Sequence, residues 1–348
     1  MPSFRTHRVV EVLSERRGLQ RVRLDDDSRA YALTQLVGAV SIGDDVVVNT
    51  TAVELGLGTG GWHVVHWNLA NRELHQPGPG HIMKVRYTSL QIDTGVIEEV
   101  PGALSPGVPH LAGVPVLVGS LHSQLGVVAA VIHRLRPGTR VSYVMTDGAA
   151  LPIALSDLVA DLDDRSLLCG TVTAGHAFGG DLEAVSVSSA LQAAVEVHRA
   201  ELVVCTMGPG VVGTGTALGT TAIEVSGIVD AARRLGAHPV VIVRASGADR
   251  RARHRGISHH TRTALGLLDH PVDVPLSTSL ASLAHELAPH RCPVLEPVDV
   301  VGALEAAGLR VTTMGRGPED DPLFFEAVGA ATAHAARLLG SGDTVWAE

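Results

Sequence analysis

Lysine is almost missing from this 348-residue chain: Lys84 is one of 27 basic residues, and all the others are arginine. A phosphate-gripping GxxxxGK[ST] loop needs its lysine just after a glycine at a helix start. Lys84 follows Met83 in the strand-like HIMKVRYT, so that class of nucleotide hydrolase is excluded. Cysteine is scarce too. Cys169, Cys205 and Cys292 are odd in number and form no CxxC pair, which argues against a disulfide scaffold and a thiolate zinc knot. Aromatic residues are 3% of the chain, which argues against an interface anchored on rings. No GxSxG elbow, HExxH helix or calcium loop occurs. Apolar runs are cut by Gly, His or Arg before the ~18–20 residues of a membrane span, and MPSFRTHRVVEVLSERR carries charge where a secretion signal is apolar. Acidic residues outnumber basic ones by 36 to 27, so phosphate neutralisation along a nucleic acid is not expected. These absences describe a cytoplasmic protein with neither a membrane nor a nucleic-acid partner.

Hydrophobic residues at 45% provide for a sizeable core, and the length suits about two domains at ~100–200 residues each. From Phe4 to Leu69 short strand-like runs alternate with turn residues: Arg17-Gly18, Asp25-Asp26-Asp27, Gly43-Asp44 and the glycines from 56 to 61. That spacing predicts a small all-β barrel or sandwich over residues 1–70. Residues 71–113 read as a Pro/Gly-rich linker around one connecting strand, HIMKVRYTSLQI (81–92), with Ile82, Lys84, Arg86 and Thr88 on one face.

From 114 to 348 apolar strands alternate with Ala-rich helices, which predicts a doubly wound, mostly parallel, Rossmann-like α/β domain. Its strands are expected at 115–120, 140–146, 167–173, 201–206, 239–245 and 309–314. Helices are expected at 123–135, 182–199, 217–236, 258–268, 297–307 and 322–339. Segments 127–149 and 228–248 share the order helix, glycine turn, strand and Gly-Ala, the pattern of a duplicated βαβ unit.

LVVCTMGPGVVGTGTALGTT holds Gly208-x-Gly210-x-x-Gly213 between a strand and a helix, where backbone N–H groups and a helix dipole would bind an anion. No acidic residue closes the next strand, and arginines stand there instead, so the sequence favours NAD(P) no more than another phosphorylated ligand. In RASGADRRARHRGISHHTRTAL (244–265), Ser258 is a natural cap for a helix that begins at His259. Adjacent histidines on a helix diverge, so at most one of His259 and His260 is expected to share a ligand with His254. No metal set is assigned, and a divalent metal is not favoured.

GHIMKVRYT, GSLHSQ, MTDGAALP, the Gly208 loop and RHRGISHHT together resemble the bacterial family catalogued as domain of unknown function 3866. The resemblance implies a bacterial cytoplasmic protein and carries no reaction with it.

In an open parallel sheet, ligands bind beyond the carboxyl ends of the strands. His122, Asp147, His176, the Gly208 loop and the arginine–histidine loop each follow a predicted strand, which points to one shared pocket for a small phosphorylated or carboxylated metabolite. In this reading Gly208, Gly210, Gly213 and Thr214 hold the anion with Arg253, Arg255, Ser258 and His259. His122, Asp147, His176 and His254 supply acid–base groups. Lys84, beside Arg86, serves as a nucleophile or a phosphate contact. The alternative is a noncatalytic scaffold in which the barrel docks a partner and the α/β body forms a homo-oligomer.

Overall fold

β1 (Phe4–Arg16) is long enough to serve two neighbours, pairing antiparallel with β4 (Asp45–Asn49) at its start and with β2 (Leu19–Leu24) at its end. β3 (Arg29–Ala32) continues from β2, and the single turns α1 (Thr34–Val37) and α2 (Thr51–Glu54) flank β4. β5 (Trp62–Asn68) lies antiparallel to β4 and parallel to β3, which closes a barrel in the order β1-β2-β3-β5-β4. Alternation along these strands turns Val9, Val22, Leu24, Ala30, Val46, Val48 and Val65 into its core. This computed structural model describes residues 1–57 and 60–339, and the chain divides into a unit ending at Gly95 and another beginning at Val96.

The connecting strand expected over 81–92 does not form. Only β6 (Met83–Lys84) and β7 (Ile92–Asp93) pair, because the chain turns between them, with Val85 at φ 52° and Tyr87 at φ 60°. Those angles break the two-residue alternation, so Lys84 and Arg86 are not strand neighbours on one face.

The second unit is built on six strands, all parallel, in the order β11-β10-β9-β12-β8-β13. They are β8 (Pro115–Val118), β9 (Val141–Thr146), β10 (Gly170–Ala174), β11 (Leu182–Ala184), β12 (Leu202–Met207) and β13 (His238–Val241). LRVTTM (309–314) is not a strand. The sixth strand comes from Leu182–Ala184, at the front of the segment expected to be helical throughout. Three strand residues preceding a capped helix are too few for periodicity to separate them from it.

Both faces of this sheet are covered, as near-continuous apolar strands require. Val203 and Cys205 of β12 face a core shared with α5 (Val187–Glu196), α6 (Glu224–Arg234) and α7 (His259–Gly266). Leu202 and Val204 face the opposite core, shared with α3 (Gln124–Leu135), α4 (Asp157–Asp164), α8 (Val300–Ala306) and most of α9 (Pro322–Leu338). The chain leaves β8 and β9 toward the α3/α4 face but leaves β12 toward the α6 face. The topological switch point therefore flanks the carboxyl end of β12, where a crevice opens in folds of this kind.

Candidate functional site

Hydrogen bonds tie the loops beyond the strand ends to one another. After β9, Ala150 N–H donates to Pro209 C=O of the β12 loop at 3.0 Å, and Phe178 N–H of the β10 loop donates to Leu151 C=O at 2.9 Å. Asp147 is exposed and accepts from His176 N–H at 2.9 Å. Gly208 is buried where a Cβ would lie 2.6 Å from Ala150 C=O, so its bare backbone lets the β9 and β12 loops touch.

His122 follows β8 and joins a directed chain. Ser156 caps α4 by accepting from Val159 N–H at 3.0 Å, and its Oγ lies 2.6 Å from His122 Nε2. His122 Nδ1 lies 3.1 Å from the Tyr143 hydroxyl, which in turn lies 3.3 Å from Thr206 C=O. Since the phenol donates to that carbonyl, Nδ1–H donates to the phenol and Nε2 accepts from Ser156. Burial pushes His122 down to about 4, so the ring is neutral and every one of its polar atoms is used. At the switch point Glu224, the first residue of α6, accepts from Thr146 Oγ1 at 2.7 Å. Burial, with some help from Asp147, pushes its carboxyl up to about 7.

The loop after β13 is organised differently. β14 (Ala245–Ser246) pairs antiparallel with β15 (Gly256–Ile257), so residues 247–255 make an excursion and return through Gly256 at φ 63° to the start of α7. The excursion is anchored from outside. Asp321, fully buried before α9, accepts from Ser246 Oγ at 2.6 Å, from Gly247 N–H at 2.8 Å and from Arg316 Nε at 3.1 Å. Asp321 stands at the N-cap of α9 but makes no side-chain bond to that helix, its carboxylate being taken up by the β13 loop and Arg316. Within the loop Arg251 grips Asp249 through two bonds, 3.0 and 2.8 Å, and holds its carboxyl well below the usual range.

The return brings His254 onto the first turn of α7, where His259 and His260 stand. The ring centroids are 4.3–5.0 Å apart in all three pairs, and one ring nitrogen from each lies within 4.8 Å of the other two. The expected divergence of the adjacent histidines is thus corrected. His254 meets both rings because it arrives from a separate segment over the helix start. In each of the three rings Nε2 is buried without a hydrogen-bond partner among the described residues.

The bonds on the other nitrogens fix where two protons sit. Arg244 is buried and reaches His260 Nδ1 at 3.2 Å, and a guanidinium only donates. Nδ1 of His260 therefore accepts, and its proton is on Nε2. Ser258 Oγ, also buried, accepts from His260 N–H at 3.2 Å and has His254 Nδ1, at 2.7 Å, as the acceptor for its own proton. With the serine proton on that bond, His254 also carries its proton on Nε2. Burial and the arginines push His254 down to about 3 and His260 to about 4, so both rings are neutral donors. Arg244 is lowered to about 10 by burial and keeps its charge at neutral pH.

Of the other expected ligand residues, Gly213 lies against this cluster. A Cβ on Gly213 would lie 2.4 Å from the His260 ring, so the β12 loop passes directly over it. Gly210, at φ 103°, has open space around it. Thr214 is folded onto its own loop, its N–H on Gly219 C=O at 2.7 Å and its hydroxyl 2.9 Å from that of Thr216. The glycine motif does not open a helix. Thirteen residues, 208–220, separate β12 from the short helical turn Thr221–Ile223 that leads into α6, which removes the phosphate geometry of a dinucleotide fingerprint. Arg253 and Arg255 are exposed, Arg255 donating to Asp249 C=O at 3.0 Å. Lys84 belongs to the first unit, where it is buried. Nothing in the sequence singles out Glu224, Tyr143 or Ser156, and it marks Arg244 only as one of the arginines after the strand that suit a phosphorylated ligand. An arginine directly after an apolar strand was the visible signal for the last.

The chain belongs to the family described as a protein of unknown function (DUF3866), whose family model matches residues 29–332. No curated protein and no solved structure matches it. Among the described residues no helix is long and apolar enough to cross a membrane.

Proposed function

We propose that the loop cluster binds a small anionic metabolite, with the phosphate- or carboxylate-bearing end of the ligand at His254, His259 and His260. The hydrogen-bond directions carry this reading: two neutral imidazole N–H groups are buried with no acceptor, and a buried donor left unmatched costs about 1–3 kcal/mol. An oxyanion supplies acceptors to both. Charge agrees, since residues 244–260 hold five arginines against Asp249 alone. A clustered trio of histidines also suits a metal, but a ligating nitrogen must be bare, and Arg244 keeps the proton of His260 on Nε2. The three cysteines are free, in keeping with a reducing cytoplasmic setting.

Calorimetry with inorganic phosphate, sugar phosphates, nucleotides and dicarboxylates tests the proposal, with zinc chloride run in parallel. Saturable anion binding that weakens at least tenfold in Arg244→Met and His260→Gln is expected. A chain that ignores every anion, or that takes up one zinc per chain in their place, overturns it.

A further inference from the structure

We propose that His238, Asp273 and His334 form a binding site for a divalent transition-metal ion such as zinc. The site lies at the amino edge of the parallel sheet and does not depend on the anion-binding reading. Three segments far apart in sequence meet there. His238 opens β13. Asp273 follows α7 and pairs in parallel with Val240 of the same strand, its C=O accepting from Val241 N–H at 2.9 Å. His334 stands within α9. Both rings reach one carboxylate oxygen: His238 Nε2 lies 2.7 Å and His334 Nε2 3.1 Å from Asp273 Oδ2. Arg291 Nε takes the other oxygen, Oδ1, at 2.5 Å, which leaves Oδ2 to the rings.

The spacing fits an ion of this size. One ligand atom from each of the three residues lies within 4.8 Å of the other two, so the three share a centre at most about 2.8 Å from each. Zinc takes imidazole nitrogen and carboxylate oxygen at about 2.0–2.2 Å, and the ion draws these ligands in by less than about 1 Å. The donors are in the right state as well. Burial works against charge on Asp273, but the bonds from His238, His334 and Arg291 outweigh it, so its carboxyl lies below the ordinary value and is ionised at neutral pH. A carboxylate only accepts, so without an ion Asp273 holds a proton on each Nε2. No guanidinium among the described residues locks the opposite nitrogen of either ring, and the proton is free to move to Nδ1 and bare Nε2 for the ion. That is the shift Arg244 denies to His260. Three protein ligands leave a tetrahedral ion one further position for water or an anion. His238 and Arg291 both line a cavity of about 230 Å³ together with Arg233 and His270, from which that fourth ligand enters.

The full chain, stripped of metal with EDTA and then freed of the chelator, is titrated with zinc chloride by calorimetry at neutral pH. Cobalt(II) chloride is titrated in parallel while visible absorption is read. One zinc per chain and the intense visible bands of four-coordinate cobalt are expected. Affinity should fall at least tenfold in His238→Gln and in His334→Gln, and stay within threefold in His260→Gln, which alters only the loop cluster. In the unaltered chain zinc should also shield His238, the most exposed of the three ligands, from diethyl pyrocarbonate, as mapped by peptide mass spectrometry. That readout decides the matter even if a variant does not fold. A chain that takes up no zinc, or one whose uptake survives both substitutions within threefold and leaves His238 unshielded, overturns the site while leaving the anion reading standing. Zinc lost in His260→Gln alone would place the ion in the loop cluster and overturn both.

Discussion

His122 and the histidines after β13 lie at the same edge of the same sheet, and desolvation holds the half-buried His122 and the buried His254 and His260 neutral. Their surroundings differ. Around His122 each donor has an acceptor: Ser156 to the ring, the ring to Tyr143, and Tyr143 to Thr206 C=O. Around His254 and His260 only the outer nitrogens are engaged, and Nε2 is left over in every ring. A closed network rigidifies, whereas an open one is costly unless something outside the chain completes it. The same residue type at the same sheet edge thus closes its network in one loop and leaves it open in another, and the open one is where the anion is proposed to bind.

The anchoring of the open cluster gives the largest test of that contrast. If the β13 loop is held by Asp321 and not by its own histidines, Asp321→Ala removes the shared acceptor of Ser246 Oγ, Gly247 N–H and Arg316 Nε. A loss of about 3–5 kcal/mol in denaturant unfolding is expected. A loss under about 1 kcal/mol would mean that the loop holds itself.

The next test sets one network against the other. Ser156→Ala deletes the cap of α4, about 1 kcal/mol, and leaves His122 Nε2 without its donor, so a total near 2–3 kcal/mol is expected. His260→Leu removes an unmatched N–H and one contact to Arg244, and should cost about 1 kcal/mol or less while abolishing phosphate binding. The reverse order of the two stabilities would sink the assignment of roles.

Much of this was legible in the chain. Turn residues at Arg17-Gly18 and Gly43-Asp44 marked the barrel, and apolar runs such as LVVCT marked a sheet covered on both faces. Of the five loops expected to converge, those after β9, β10 and β12 are joined by backbone bonds. What periodicity could not supply was the path of the chain between elements. The meeting of His254 with His259 and His260 depends on the β14–β15 pairing and on the reversal at Gly256, both long-range facts. The glycine motif misled for the same reason: its spacing was right, but the helix it was expected to open begins well beyond it. Val85 and Tyr87 take a left-handed conformation that strand propensity does not anticipate.

Acid should separate the two groups most finely. His122, His254 and His260 have folded pKa values of about 4, 3 and 4, below the ordinary value near 6.5 that they regain on unfolding. Between those limits the unfolded chain binds more protons than the folded one. Their contribution to stability is therefore complete above about pH 6.5 and is lost as the pH falls toward 4. A bound oxyanion changes this for one group alone. It favours protonation of His254 and His260, raises their pKa values, and so flattens the acid loss that they cause, while His122, enclosed by Ser156 and Tyr143, is untouched. The melting temperature measured from pH 7.5 to 5 should consequently fall less steeply in phosphate than in chloride of equal ionic strength. The difference should shrink in His260→Leu and persist in His122→Gln. Parallel curves in the two salts would show that the anion does not reach these rings.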